Sequence, residues 1–361
     1  MDKFRIVVVD DSAFMRKAIT DMIESEATFE VVAKLRDGRE LLEKVEEINP
    51  DLITLDVHMR DIDGLATLKE LKKRGKNYPI IMLSSATTEG SEITLECLDN
   101  GAITFINKPS GSISLDIAKV QRELIEEIKS ITASVKRKKD YKNTKVNNKN
   151  EGNIYKDNGK KIEKININIP KNKRIDAVVI GASTGGPKAL QEVLTKLPKN
   201  MGVPILVVQH MPEGFTKVFA ERLDKVCNLK VKEASDGMRI DKDTIYIAKG
   251  GSHMIVENKN SIALNQEPAI WGVRPAVDKL FNSAIKSYGS NLLSVVLTGM
   301  GRDGADGTRN IKDQGGITIS EDKSTCTIYG MPKAAYETGK VDLVVPLNKI
   351  AEKIIEIVKR E

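Results

Sequence analysis

Ala177-Val178-Val179-Ile180-Gly181-Ala182-Ser183-Thr184-Gly185 decides the fold of the C-terminal half. Four apolar residues suited to a buried strand run straight into a hydroxyl set between glycines, so the strand ends there and the chain turns. Pro187 suits the first turn of a helix, and Ala189, Leu190, Val193, Leu194 and Leu197 continue at helical spacing. A strand, a sharp turn and a helix hold a serine Oγ proud of a sheet edge, the geometry of a nucleophile elbow. The same glycines would serve a loop cradling a phosphate at a helix N-terminus. The nucleophile reading therefore needs a base and an orienting acid elsewhere in the chain.

Three histidines are available. His58 lies in the N-terminal third. His253 follows Lys249-Gly250-Gly251-Ser252 between two apolar runs, Thr244–Ala248 and Met254–Val256, which predicts a hairpin turn at 249–252. His210 closes Val203-Pro204-Ile205-Leu206-Val207-Val208-Gln209, a continuous apolar run of the kind a buried parallel strand shows. It therefore falls at a strand C-terminus, as Ser183 does, where chemistry gathers in open α/β sheets. A third such end follows Leu292–Thr298, where Gly299-Met300-Gly301-Arg302-Asp303-Gly304-Ala305-Asp306 carries two carboxylates. Either could orient an imidazole. The chain order Ser, His, Asp differs from that of α/β-hydrolases, chymotrypsin and subtilisin.

These residues resemble the catalytic domain of the chemotaxis protein-glutamate methylesterase family, over roughly the last 190 residues. The resemblance rests on the serine loop, His210-Met211-Pro212 with Phe215-Thr216 and Phe219-Ala220-Glu221-Arg222-Leu223, and Arg274-Pro275-Ala276-Val277-Asp278. It continues through Gly299–Gly304 and Tyr329-Gly330-Met331-Pro332-Lys333-Ala334-Ala335. It implies a parallel-sheet α/β hydrolase-type (Rossmann-like) domain with a β-hairpin, a triad of Ser183, His210 and Asp303 rather than Asp306, and no cofactor for the esterase. Thr184 is expected to help position the serine hydroxyl, and the backbone of Met300 to serve as an oxyanion donor. The expected reaction is hydrolysis of glutamate γ-methyl esters on methyl-accepting chemoreceptors, with deamidation of glutamines beside it.

The N-terminal third carries a second constellation. Arg5–Val9 ends in Asp10-Asp11, Asp51–Leu55 in Asp56, Pro79–Leu83 in Ser84-Ser85, and Ile103–Asn107 in Lys108-Pro109. Strands alternating with helical patterns imply a doubly wound parallel sheet, its site at the strand C-termini. Three carboxylates crowded there would repel one another without a cation, and oxygen ligation suits Mg²⁺. Residues 1–125 resemble a response-regulator receiver domain of the flavodoxin-like kind. Carried over by position, Asp56 is the phosphoacceptor, and Asp10, Asp11, Asp56 and the His58 backbone carbonyl hold the metal. Ser84, Phe105 and Lys108 then form the switch. A histidine kinase of the chemotaxis pathway is the implied phosphodonor, and phosphorylation is expected to lift the receiver from the catalytic face.

The 361 residues suffice for two cores, and no run approaches the ~18 apolar residues of a membrane span. Met1-Asp2-Lys3 leads straight into a strand pattern, so no signal peptide is expected. Cys97, Cys227 and Cys326, odd in number and far apart, read as reduced thiols of a cytoplasmic protein. The net charge of +6 is concentrated between Lys136 and Arg174, where 14 Lys and Arg face 4 Asp and Glu. Residues 126–172 are therefore expected to be a basic, Asn/Lys-rich flexible linker, with the catalytic domain at 173–361. No aromatic stacking residues or recognition motif accompany that charge, so neither nucleic-acid binding nor membrane insertion is expected. The alternative is a receiver-linked regulator whose second domain binds a nucleotide or nucleic acid.

Overall fold

The computed structural model describes residues 3–85, 88–108, 114–146, 156–157, 160–161 and 173–359. The N-terminal unit alternates strictly: β1 (Phe4–Val9), α1 (Ala13–Glu24), β2 (Phe29–Leu35), α2 (Gly38–Ile48), β3 (Leu52–Asp56), α3 (Gly64–Lys73), β4 (Ile80–Ser84), α4 (Thr88–Asp99), β5 (Thr104–Asn107) and α5 (Ser114–Val146). Short polar side chains start its helices. Ser12, Asp37 and Asp63 each accept a first-turn N–H, from Met15, Glu40 and Ala66, and so satisfy donors that the helices leave open. The five strands pair in parallel in the order β2-β1-β3-β4-β5, so the direction of winding reverses between β1 and β3. A ligand crevice is expected at that reversal.

Residue pairs Lys156–Asp157 (β6) and Lys160–Lys161 (β7) form a small antiparallel ladder. The C-terminal unit then runs β8 (Ala177–Ala182), α6 (Gly186–Leu194), β9 (Ile205–Gln209), α7 (Phe215–Val226), β10 (Lys230–Glu233), β11 (Thr244–Ile247), β12 (His253–Glu257) and β13 (Ser261–Asn265). It continues with α8 (Val277–Tyr288), β14 (Leu292–Val296), α9 (Ala305–Asp313), β15 (Ile317–Glu321), α10 (Met331–Glu337), β16 (Leu343–Val345) and α11 (Leu347–Val358). Seven of these strands form a parallel sheet ordered β10-β11-β9-β8-β14-β15-β16. Its winding reverses at β8, which lies between β9 and β14.

Both faces of this sheet are covered, which is why its strands read as unbroken apolar runs. Alternate residues of β8 serve opposite layers. Val178, Ile180 and Ala182 pack with Leu190, Val193 and Leu194 of α6 and with Ile350, Ile354 and Ile357 of α11. Ala177 and Val179 face the layer of Leu280, Phe281 and Ala284 from α8.

Two sequence expectations differ from the structure. The antiparallel hairpin is β12–β13, turning at Asn258 and Lys259, which both adopt positive φ. Lys249–Ser252 instead joins the main-sheet strand β11 to that hairpin. Residues 126–137, assigned to the flexible linker, continue helix α5, with Glu127, Ile128, Ile131 and Ser134 buried. With Val120 and Leu124 they repeat every three or four residues and so form one helical face. Charges on the opposite faces of α5 made this stretch read as solvated. Residues 147–155, 158–159 and 162–172 of the expected linker lie outside the described residues.

Leu190 is fully buried and presses α6, the helix that follows Ser183, onto the sheet. We expect Leu190→Ala to lower the unfolding free energy of the C-terminal unit by about 2–5 kcal/mol. A shift of the urea midpoint measures it.

Candidate active site

The ends of β8, β9 and β14 place Ser183, His210 and Asp303 along one sheet edge, at the reversal of winding. The turn after β8 is fixed by its backbone. Ser183 donates its N–H to Thr298 O (3.0 Å), and Gly186 donates to Ser183 O (2.7 Å). Gly185 carries φ +77°, and a side chain there would strike Thr327. Gly299, which follows Thr298, has no room for a Cβ, since Ser183 Cβ would lie 2.7 Å from it.

His210 follows β9 and holds its ring against Asp303, with Nε2 to Oδ2 at 2.8 Å. Asp303, only 2% exposed, sits before the first turn of α8 and accepts the N–H of Val277 (2.6 Å) at Oδ2 and of Asp278 (2.9 Å) at Oδ1. Burial by itself would raise the Asp303 pKa. The His210 hydrogen bond and charge, with the two N–H donors, outweigh it and hold the carboxyl below its ordinary value. Asp306 lies at the surface of α9, 3.1 Å from Arg309, and does not approach His210.

Gln209, Asp278 and Glu321 escaped the sequence reading. Gln209 Nε2 donates to both Ser183 O (3.0 Å) and His210 O (3.1 Å), clamping the two site loops together. Its only signal was a polar residue at the end of an apolar strand. Asp278 accepts Gly307 N–H (2.7 Å), and burial together with the charge of Asp303 pushes its carboxyl up to about 6. Glu321 accepts the N–H of Thr298, and burial pushes it up to about 7. The remaining histidine of this unit is structural: His253 is fully buried, with Nδ1 accepting from Ala276 N and Nε2 at 3.1 Å from Pro268 O.

The receiver side chains gather likewise. Asp10, Asp11 and Asp56 offer oxygens all within 4.8 Å of one another. Lys108 Nζ lies 2.7 Å from Asp10 Oδ2 and 2.6 Å from Asp56 Oδ2, ion pairs in which neither oxygen receives a well-directed hydrogen bond. Burial raises the Asp56 pKa against the pull of Lys108. Compact, oxygen-only and under-satisfied, this donor set fits a hard divalent cation. His58 contributes its N–H, at 3.2 Å from Asp56 Oδ1. Ser84 turns away, its Oγ 2.6 Å from that of Thr94.

The two units meet at the site. Phe105 stacks on Phe215 of α7 at 4.4 Å between ring centres, and Arg222 of α7 pairs with Asp99 of α4. From α5, Ser134 donates to Thr327 O (2.6 Å), and the Arg137 guanidinium lies over the Tyr329 ring. Ile328 and Met300 join the apolar cluster of Leu124, Ile128 and Ile131. Thr184 Oγ1 donates to Glu127 Oε1 (2.6 Å), not toward the serine.

The family model described as CheB methylesterase matches residues 178–354, and that of the response regulator receiver domain matches residues 6–118. A protein-glutamate methylesterase/protein-glutamine glutaminase of Clostridium acetobutylicum is 49% identical over 359 residues, covering 99% of each chain. The chain belongs to this methylesterase family. A relative of the same description from Pyrococcus abyssi is 44% identical, over 99% of this chain and 94% of its own. The crystallised CheB methylesterase catalytic domain of Thermotoga maritima superposes with a TM-score of 0.50 at 47% identity, covering 51% of this chain and 99% of that one. Membership in this family removes the support for a nucleotide- or nucleic-acid-binding output. Among the described residues no helix is long and apolar enough to cross a membrane.

Asp303 has a depressed folded pKa, so its stabilising contribution is full above the ordinary carboxylate range and is lost as pH falls through the folded value. Asp303→Asn leaves buried donors short of acceptors and is expected to cost about 1–3 kcal/mol at neutral pH. The gap between the two proteins in urea unfolding should narrow on acidification toward that folded value.

Proposed function

We propose that Ser183 is the nucleophile of this methylesterase-family chain, His210 its base and Asp303 the acid that orients His210. The contact between His210 Nε2 and Asp303 Oδ2, anchored by two α8 N–H groups, carries this reading. With Nε2–H committed to Asp303, the nitrogen that accepts the serine proton is Nδ1. Ser183 Oγ attacks the γ-carbonyl of a glutamate methyl ester, and the developing oxyanion takes the Met300 N–H, which makes no hydrogen bond among the described residues. His210 returns the proton to methanol, and water then hydrolyses the acyl-enzyme by the same route. A glutamine side chain presents the same carbonyl and leaves as ammonia. The substrates on this reading are methyl-accepting chemoreceptors, met in the cytoplasm.

The receiver supplies the control. Asp10, Asp11 and Asp56 would hold Mg²⁺, whose charge offsets that of an incoming phosphoryl group from a histidine kinase. A phosphoryl group on Asp56 recruits Lys108 and Ser84 to its oxygens. Lys108 directly follows β5, so its movement reaches Phe105 and the stack on Phe215.

Ser183→Ala and His210→Ala should each lose at least about 10⁴-fold in methanol release from methylated receptor, and the double variant should be little worse. A folded His210→Ala protein of near wild-type rate contradicts the triad. For the control, the aromatic stack is worth about 0.5–1.5 kcal/mol, so Phe105→Ala should raise the rate without phosphodonor roughly two- to tenfold. Asp56→Asn should ignore acetyl phosphate and Mg²⁺, which accelerate the wild type. Equal rates in all three proteins, with and without donor, contradict gating.

A further inference from the structure

Trp271 is the chain's single tryptophan, and it stands where the backbone least favours it. Ile270 and Val273 exchange N–H···O bonds of 3.2 and 3.0 Å across a two-residue turn whose members, Trp271 and Gly272, both have positive φ (53° and 80°). Glycine, asparagine and aspartate suit such a position, and a bulky side chain there holds the chain under strain. Burial does not offset the strain, because Trp271 is 53% exposed. The ring is nevertheless fixed. Its Nε1–H donates to Asp278 Oδ2 (3.3 Å), and the Arg302 guanidinium lies over its face, 4.7 Å from the ring centre. A strained, exposed and oriented aromatic ring marks a surface kept for contact with something else.

Arg302 fixes where that surface lies. Gly299, three residues before it, has no room for a Cβ against Ser183, Met300 carries the proposed oxyanion donor, and Asp303, the next residue, holds His210. The arginine thus leaves the catalytic loop between the oxyanion donor and the triad acid. Its companion Trp271 is tied to Asp278, whose N–H also binds Asp303. The Arg302 side chain is half exposed with the receiver docked. Asp306 lies 3.8 Å from it but is shared with Arg309, which is closer at 3.1 Å, and no Arg302 N–H makes a hydrogen bond among the described residues. A guanidinium braced on an indole, its N–H fork unused, matches a carboxylate in shape and charge.

We propose that Trp271 and Arg302 select the substrate: Arg302 binds a side-chain carboxylate flanking the scissile ester on the receptor, and the uncovered part of the Trp271 ring packs on the same segment. This rests on the methylesterase reading above and adds a choice among esters to it, those with an acidic neighbour being hydrolysed first. Because the pair is exposed in the closed chain, the preference holds with and without phosphorylation.

The test compares methanol release by the wild type, Arg302→Ala and Arg302→Glu on two receptors, which carry either glutamate or alanine at the positions flanking one labelled ester. Each is assayed with and without acetyl phosphate. On the glutamate receptor Arg302→Ala should raise KM roughly tenfold and Arg302→Glu more, with kcat changing far less, since the contact is made equally in ground and transition states. On the alanine receptor the wild type should show the raised KM and Arg302→Ala should add nothing to it, the signature of two groups that touch. An unchanged KM, a loss confined to kcat, or an equal penalty on both receptors overturns the recognition, while methanol release by the wild type keeps the methylesterase reading standing. No methanol from the wild type overturns both. The single tryptophan gives a second readout in Ser183→Ala, which binds without turnover, with Ser183→Ala/Trp271→Phe as the blank. Above the wild-type KM the glutamate receptor should shield the indole from acrylamide quenching, and equal quenching with and without receptor overturns the role of Trp271.

Discussion

The catalytic half is organised around the Asp303 carboxylate, buried where the first N–H groups of α8 point. A charge that far from water is sustained only by directed donors, and it has three: His210 and the N–H groups of Val277 and Asp278. Meeting them requires β9, β14 and α8 to end or begin within one small volume. Val277 is the wedge that sets their spacing. A Cβ on Gly181, just before the serine turn, would collide with its side chain, and a Cβ on Gly304, just after Asp303, would lie 2.9 Å from it. The residue whose N–H holds the Asp303 carboxylate thus also positions the two loops that carry Ser183 and Asp303.

The receiver meets the same electrostatic difficulty differently. Asp10 and Asp56 are almost fully buried, and the Lys108 ammonium lies between them. An ammonium on a rotatable side chain is a provisional answer to crowded negative charge, whereas the backbone donors around Asp303 are a permanent one. Each arrangement suits its own half of the chain. On the function proposed above, the receiver cluster rearranges when a phosphoryl group arrives, and the acid under α8 keeps its geometry through every turnover.

The strand ends were legible because strands covered on both faces are unbroken apolar runs, and a polar residue that stops such a run stands out. Ser183, His210, Asp10 and Asp56 all announce themselves this way. Spacing could not choose between Asp303 and Asp306, which differ in which one points beneath α8 and which joins Arg309 outside. Glu127 was hidden in Arg122-Glu123-Leu124-Ile125-Glu126-Glu127, where a charged run reads as a wet helix surface. Its burial depends on a second unit that local patterning does not reveal. The hairpin was misplaced because Lys249-Gly250-Gly251 looks like a turn, while the observed turn uses Asn258 and Lys259 at positive φ with no glycine.

Helix α5 is covalently continuous with the receiver and also reaches the serine turn, so on the gating proposed above the blocking surface travels with the enzyme it blocks. A tethered partner acts at an effective concentration set by its connection, whatever the bulk concentration. Closure is then a unimolecular equilibrium, untouched by dilution or by the copy number of the protein. A cell can make more or less of this chain and change the total activity without changing the fraction that is open.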